Sequence, residues 1–255
     1  MKPRIDLNCD MGEGHGAYDI GNDAEMLKVA TSANVACGFH GGDFSVMARA
    51  FKAAKENGVA VGCHPGYPDL WGFGRREMAF SLQELQELTA YQIGAASAVA
   101  KLTGHRLTHI KVHGAMGHLL MHDQAACEAV AAAIKTVDPD LSVTVLVATR
   151  FEEVASAAGL RVAREIFADR AYQDDGRLVP RKMPGAVIHD AKTAADRMAQ
   201  MVQEGAVITA SGKRIKGRID TICIHGDTPG AVAIARAVKA KMIDIGIEVR
   251  PFAEA

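Results

Sequence analysis

The chain has 255 residues, of which 49% are apolar and only 5% aromatic, so one sizeable core filled by Ala, Val, Ile and Leu is expected. Its 29 basic and 30 acidic residues leave a net charge of −1, which argues against a nucleic-acid or anionic-membrane binder. No apolar run approaches bilayer length, and Met1-Lys2-Pro3-Arg4-Ile5-Asp6 lacks the apolar segment of a secretory signal. The cysteines Cys9, Cys37, Cys63, Cys127 and Cys223 form no CxxC pair, which predicts reduced thiols in a cytoplasmic protein.

Ile5 to Cys9 alternates like a strand and enters the acidic glycine loop Asp10-Met11-Gly12-Glu13-Gly14. A helix is predicted from Asp23 to about Ala30, then a strand from Ser32 to Ala36 that runs into Cys37-Gly38-Phe39-His40. Asp43 reads as the N-cap of a helix from Phe44 to Glu56, because its carboxylate can accept from an orphan backbone N–H. The buried strand Val59 to Cys63 opens at His64 into a rigid loop that reaches Arg76, in which Asp69, Arg75 and Arg76 form a potential ion-pair set. Ser81 to Glu84 is a capping box for a long Ala-rich helix that ends near Gly104.

Further strands are expected at Leu107 to Val112, Leu141 to Val147, Leu160 to Glu165 and Thr221 to Ile224. Helices are expected at Gln124 to Lys135, Phe151 to Ala158, Ala191 to Glu204 and Ala231 to Ile243. Ala206 to Thr209 and Arg214 to Ile219 flank a glycine turn like a hairpin, and Glu248 to Pro251 is a terminal strand. This alternation predicts a mainly parallel α/β sheet in a single domain over residues 1–255, closed or nearly closed into a barrel.

Parallel α/β folds build their sites where the strands' carboxyl ends converge. The polar residues at those ends are Asp6, Asn8, Asp10 and Glu13, then Asn34 and His40, His64 and Asp69, Lys111 and His113, and His225 and Asp227. Taken singly, each has an ordinary structural reading: a hydrogen-bonded core histidine, a buried paired carboxylate at Asp6, or a helix cap at Asp227. His118 and His122, four residues apart, have no third ligand nearby and read as a solvated pair. Together the set suits general acid/base chemistry or one divalent metal held by an Asp/His/His group. No GxxxxGK, strand-linked GxGxxG or GxSxG motif is present, and a cysteine nucleophile beside a histidine stays open.

Several long segments resemble the LamB/YcsF family, the A chain of prokaryotic ATP-dependent 5-oxoprolinase. They are Asp6-Leu7-Asn8-Cys9-Asp10-Met11-Gly12-Glu13, Ser32 to His40, His64 to Leu70 with Gly72 to Arg76, Phe167 to Tyr172, Leu178 to Arg181, Pro184 to Ile188, and Ile224 to Pro229. The resemblance runs from near residue 5 to near residue 250. It implies a TIM-like (β/α) barrel of about seven strands, related to glycoside hydrolases and polysaccharide deacetylases. It also implies opening of the 5-oxoproline lactam to L-glutamate coupled to ATP hydrolysis, with ATP and Mg2+ as cosubstrate and with partner subunits B and C.

The implied catalytic set is Asp10, Glu13, His40, His64, Lys111 and His113. The implied substrate contacts are Asn8, Asn34, Asp169, Arg170, Arg181, His225 and Asp227, with Arg170 or Arg181 on the substrate carboxylate. No metal is expected; if one is present, Asp10, His40 and His64 are its ligands. The family's usual Lys-Pro-His-Gly-Ala-Leu-Tyr-Asn is here Lys111-Val112-His113-Gly114-Ala115-Met116-Gly117-His118, keeping only the Lys, His, Gly and Ala. A stand-alone metal-dependent deacetylase or amidohydrolase, and a non-catalytic scaffold protein within the complex, are the alternative readings.

Overall fold

A computed structural model describes residues 3–226 and 229–253. Strands β1 (Arg4–Met11), β2 (Ser32–Ala36), β3 (Ala60–His64), β4 (Leu107–Lys111), β5 (Ser142–Leu146) and β6 (Arg161–Phe167) pair in sequence order, all parallel. The antiparallel hairpin β7 (Ala206–Ile208) and β8 (Arg214–Lys216) stands apart from this sheet. Strand β9 (Thr221–Cys223) then pairs with both β6 and β1, closing seven parallel strands into a ring. The short β10 (Glu248–Val249) extends the pairing of β1 at Arg4 and Ile5.

Helices α1 (Asp23–Met26), α2 (Phe44–Glu56), α3 (Leu82–Leu102), α4 (Gly114–Leu119), α5 (Gln124–Val137), α6 (Arg150–Ala157), α7 (Ala191–Glu204) and α8 (Ala231–Asp244) connect the strands. Their starts follow sequence chemistry. The Asp43 carboxylate accepts from the Ser45 and Val46 amides, Ser81 and Glu84 form the capping box, and Asp123 and Asp190 cap α5 and α7. Two expectations are corrected. The first helix is a single turn that stops at Met26, because the chain must turn back by Thr31, whose hydroxyl and amide bond to β1. The loop after β4 winds into α4, which Gly114 enters at a φ of +55 with its backbone against Gly74.

Period-two alternation splits β1 between two environments. Leu7, Cys9 and Met11 join the apolar layer beneath the helices with Val35, Phe51, Ile110 and Ile134. Asp6, Asn8 and Asp10 are also buried, but they bond to polar groups of other barrel strands. The apolar core is therefore the shell between strands and helices, and the barrel's interior is polar.

Candidate active site at the carboxyl end of the barrel

The interior is stacked in tiers. In the lowest, the Asp6 carboxylate accepts from the hydroxyls of Thr31, Ser32 and Thr221. Burial outweighs these donors and pushes its pKa from 3.8 up to about 6. Above it, Asn8 donates to Thr221 Oγ1 at 2.7 Å, and Asn34 Nδ2 donates to Asn8 Oδ1 at 2.8 Å and Asp10 Oδ1 at 2.9 Å. His109 Nε2 donates to Asn34 Oδ1 at 2.9 Å, and burial pulls this ring's pKa down to about 3, so it stays neutral. Gly62 makes room for that ring, since a Cβ there would lie 2.3 Å from it.

The upper tier is charged. Lys111 Nζ lies 2.9 Å from Asp10 Oδ1, 3.0 Å from Glu165 Oε1 and 2.9 Å from Cys223 Sγ, with the Phe167 ring 5.1 Å away. Burial opposes both charges. Contacts to His64 and to the Lys111 ammonium nevertheless hold the Asp10 carboxyl well below its ordinary range, and Asp10 leads in keeping Lys111 well above its own. Glu165 escaped the sequence reading although it ends a predicted strand, the same rule that picked out Lys111.

Beside this ammonium lies a histidine group. Glu13 Oε1 is 3.3 Å from His40 Nε2, 3.5 Å from His113 Nδ1 and 4.0 Å from His64 Nε2. His64 Nε2 is 3.4 Å from Asp10 Oδ2 and 3.0 Å from His113 Nδ1. His40 stacks on His113 at 3.7 Å with ring planes 5° apart. Burial, then neighbouring imidazoles, hold His40 and His113 well below the ordinary histidine range.

A cavity of about 520 Å³ opens over these groups. Asp10, Glu13, His64, Lys111, His113, Arg170, Arg181 and His225 line it, as does Glu165. Asn8 and Asn34 lie a tier below and His40 behind His113, so these three do not line the cavity. Asp169 is buried beside His225, 2.9 Å from its Nδ1. Arg170 spends its guanidinium on the Ala186 and Val179 carbonyls, bracing the 170–187 segment, and burial lowers its pKa to about 10. Asp227 lies outside the described residues.

Asp69 binds Arg76 and the Gly72 amide, so this part of the expected ion-pair set stiffens the loop after β3. Cys9, Cys63 and Cys223 are pushed well above the ordinary thiol range by burial, and Cys37 up to about 12, which removes the thiolate a nucleophile needs. His118 is exposed at the rim of the cavity.

A sequence model of the LamB/YcsF family matches residues 5–255. The chain is 55% identical over 249 residues to one of the 5-oxoprolinase A chains of Bradyrhizobium diazoefficiens, covering 97% of each protein. It is 54% identical over 251 residues to the 5-oxoprolinase A chain of Rhodopseudomonas palustris, covering 98% of this chain and 99% of that protein. The crystal structure of a lactam utilization protein from Thermus thermophilus superposes with a TM-score of 0.91 at 48% identity, covering 97% of this chain and 99% of that one.

Proposed function

The chain belongs to the LamB/YcsF family, and on that premise we propose that it is the A chain of a 5-oxoprolinase, opening the 5-oxoproline lactam to L-glutamate within a multi-subunit complex. Residues 1–255 form one barrel domain, cytoplasmic, working with subunits B and C. ATP with Mg2+ is a cosubstrate of the assembly. No phosphate-binding motif occurs in this chain, which supports placing the ATP-consuming step on a partner. No helix among the described residues is long and apolar enough to cross a membrane.

The observation that carries this reading is the buried Lys111 ammonium, held between Asp10 and Glu165 and facing the cavity beside Glu13, His64 and His113. An unstrained five-membered lactam is a poor electrophile, and phosphorylation of its amide oxygen by ATP activates the carbonyl. ADP is released in that step. Water then adds to the activated carbon, the ring C–N bond breaks to leave an acyl phosphate, and a second water hydrolyses this anhydride to glutamate and phosphate. Lys111 opposes the negative charge that builds on oxygen, without the cost of reorganising solvent. Glu13, His64 and His113, with Asp10 and His40 behind them, take the proton from water and return one to the nitrogen. Arg181, whose guanidinium is not committed to backbone carbonyls as that of Arg170 is, receives the substrate carboxylate.

The test is glutamate release from 5-oxoproline, with and without ATP, by this chain alone and reconstituted with candidate subunits B and C. Glutamate is expected only from the full assembly with ATP. No glutamate from a verified assembly would overturn the assignment and point to another lactam or amide.

A further inference from the structure

From the tautomers that the hydrogen bonds impose on His64 and His113, we infer a divalent transition-metal site formed by Glu13 Oε1, His64 Nε2 and His113 Nδ1. His64 Nδ1 lies 2.7 Å from the Lys111 carbonyl oxygen, and His113 Nε2 lies 2.8 Å from the Phe73 carbonyl oxygen. A carbonyl only accepts, so each of these nitrogens carries a hydrogen. In the neutral rings the opposite nitrogens, His64 Nε2 and His113 Nδ1, then carry lone pairs. Those two atoms face each other at 3.0 Å. Two acceptors at hydrogen-bond distance repel unless a proton or a cation stands between them.

The surroundings favour a metal. The Glu13 carboxylate oxygen is 3.5 Å from one of these nitrogens and 4.0 Å from the other. Atoms 3.0–4.0 Å apart can share one ion at the usual Zn–N and Zn–O lengths of about 2.0–2.2 Å. The His64 and His113 ring planes stand 88° apart, so their in-plane lone pairs can meet at one point. The backbone carbonyls that bond the far nitrogens are the outer contacts that orient metal-binding imidazoles elsewhere.

The same geometry excludes His40 from the ligand set, although its nitrogen is also close to Glu13. Its ring is parallel to that of His113, and an ion in the plane of one ring lies out of the plane of the other. The ligands are thus two imidazoles and one carboxylate, a borderline N/O set suited to zinc or cobalt, which leaves coordination positions facing the cavity. This differs from the Asp10, His40 and His64 set considered from the sequence. It concerns metal affinity and stands whether or not the chain opens a lactam. The proton transfers assigned above to Glu13, His64 and His113 belong to the metal-free form, because in the metal-loaded chain these atoms are ligands.

The test is titration of the chelator-treated full-length chain with Co2+, followed by visible absorption and then by displacement with Zn2+. One Co2+ per chain with a ligand-field band lost on adding Zn2+ is expected. Replacing even an outer contact of a metal ligand typically costs about 10–100-fold in affinity, so His113→Ala and Glu13→Gln should each weaken binding by at least about 100-fold. His40→Ala should keep the band. Circular dichroism confirms that each variant is folded, and His64→Gln provides a second ligand variant if His113→Ala is not. No band from the folded wild type, or a band that survives in folded ligand variants, would overturn the site and leave a shared proton between the two histidines. Loss of the band in folded His40→Ala would overturn the ligand assignment.

Discussion

The lower and upper tiers of the barrel interior are built from the same strands and differ in how their polar groups are satisfied. Below, Asp6, Asn8, Asn34, Ser32, Thr221 and His109 bond to one another with hydroxyl and amide partners, and the groups that could ionise are biased toward neutrality. Above, Lys111 and Asp10 are held charged despite burial, and the imidazoles crowd around Glu13 beneath an open cavity. A fully satisfied polar layer fixes register and shape. A charged layer with access to solvent is arranged for a ligand. On the proposed function, the lower tier is the platform and the upper tier the candidate site of the chemistry.

The strongest way to break this contrast is to remove the upper cation. Lys111→Met keeps the length of the side chain but not its charge, and should lower glutamate formation by the reconstituted assembly about 100–1000-fold, as loss of an oxyanion donor does. A retained rate would make Lys111 part of the platform.

The lower tier should respond in stability rather than rate. The Asp6 carboxyl keeps its proton up to about pH 6 in the folded chain, whereas the unfolded chain loses it near 3.8. Raising the pH from 4 to 6 therefore favours unfolding, by up to about 3 kcal/mol for a shift of roughly two units. Asp6→Asn should flatten that part of the stability-against-pH curve, measured by urea melts across the window; an unchanged slope would show that Asp6 ionises normally.

Arg181→Ala should raise KM for 5-oxoproline about 10–100-fold with a smaller change in kcat, the size of a lost charged hydrogen bond. An unchanged KM would move the carboxylate elsewhere in the cavity. The smallest expected effect is Gly62→Ala, which pushes a methyl group into the His109 ring and should cost about 1–3 kcal/mol in a denaturant melt. A neutral result would show that the lower tier is loosely packed around His109.

Much of the fold was legible in the sequence because strand and helix signals alternate and the caps at Asp43 and Ser81 are local chemistry. The alternation of Asp6 and Asn8 also marked one face of β1, although Asp10 was read into the following loop and the strand runs on to Met11. Depth along that face was not legible, since Asp6 and Asp10 occupy equivalent positions in the pattern and differ only in what the neighbouring strands bring opposite them. Register decides this: Asp6 meets Thr221, whereas Asp10 meets Asn34 and, across the barrel, Lys111. Glu165 was hidden for a related reason, since a single glutamate ending a strand gives no sign of the lysine that will face it. The winding of α4 depends on Gly114 lying against Gly74, a contact between residues far apart in the chain.

The most direct measurement is glutamate formation by the reconstituted assembly with ATP, comparing Lys111→Met and Asp6→Asn with the wild type at equal folded concentration and about pH 7.5, well above the Asp6 transition. The account predicts loss of activity in Lys111→Met and a near-normal rate in Asp6→Asn. Equal losses, or an active Lys111→Met, would contradict the division of the barrel into platform and chemistry.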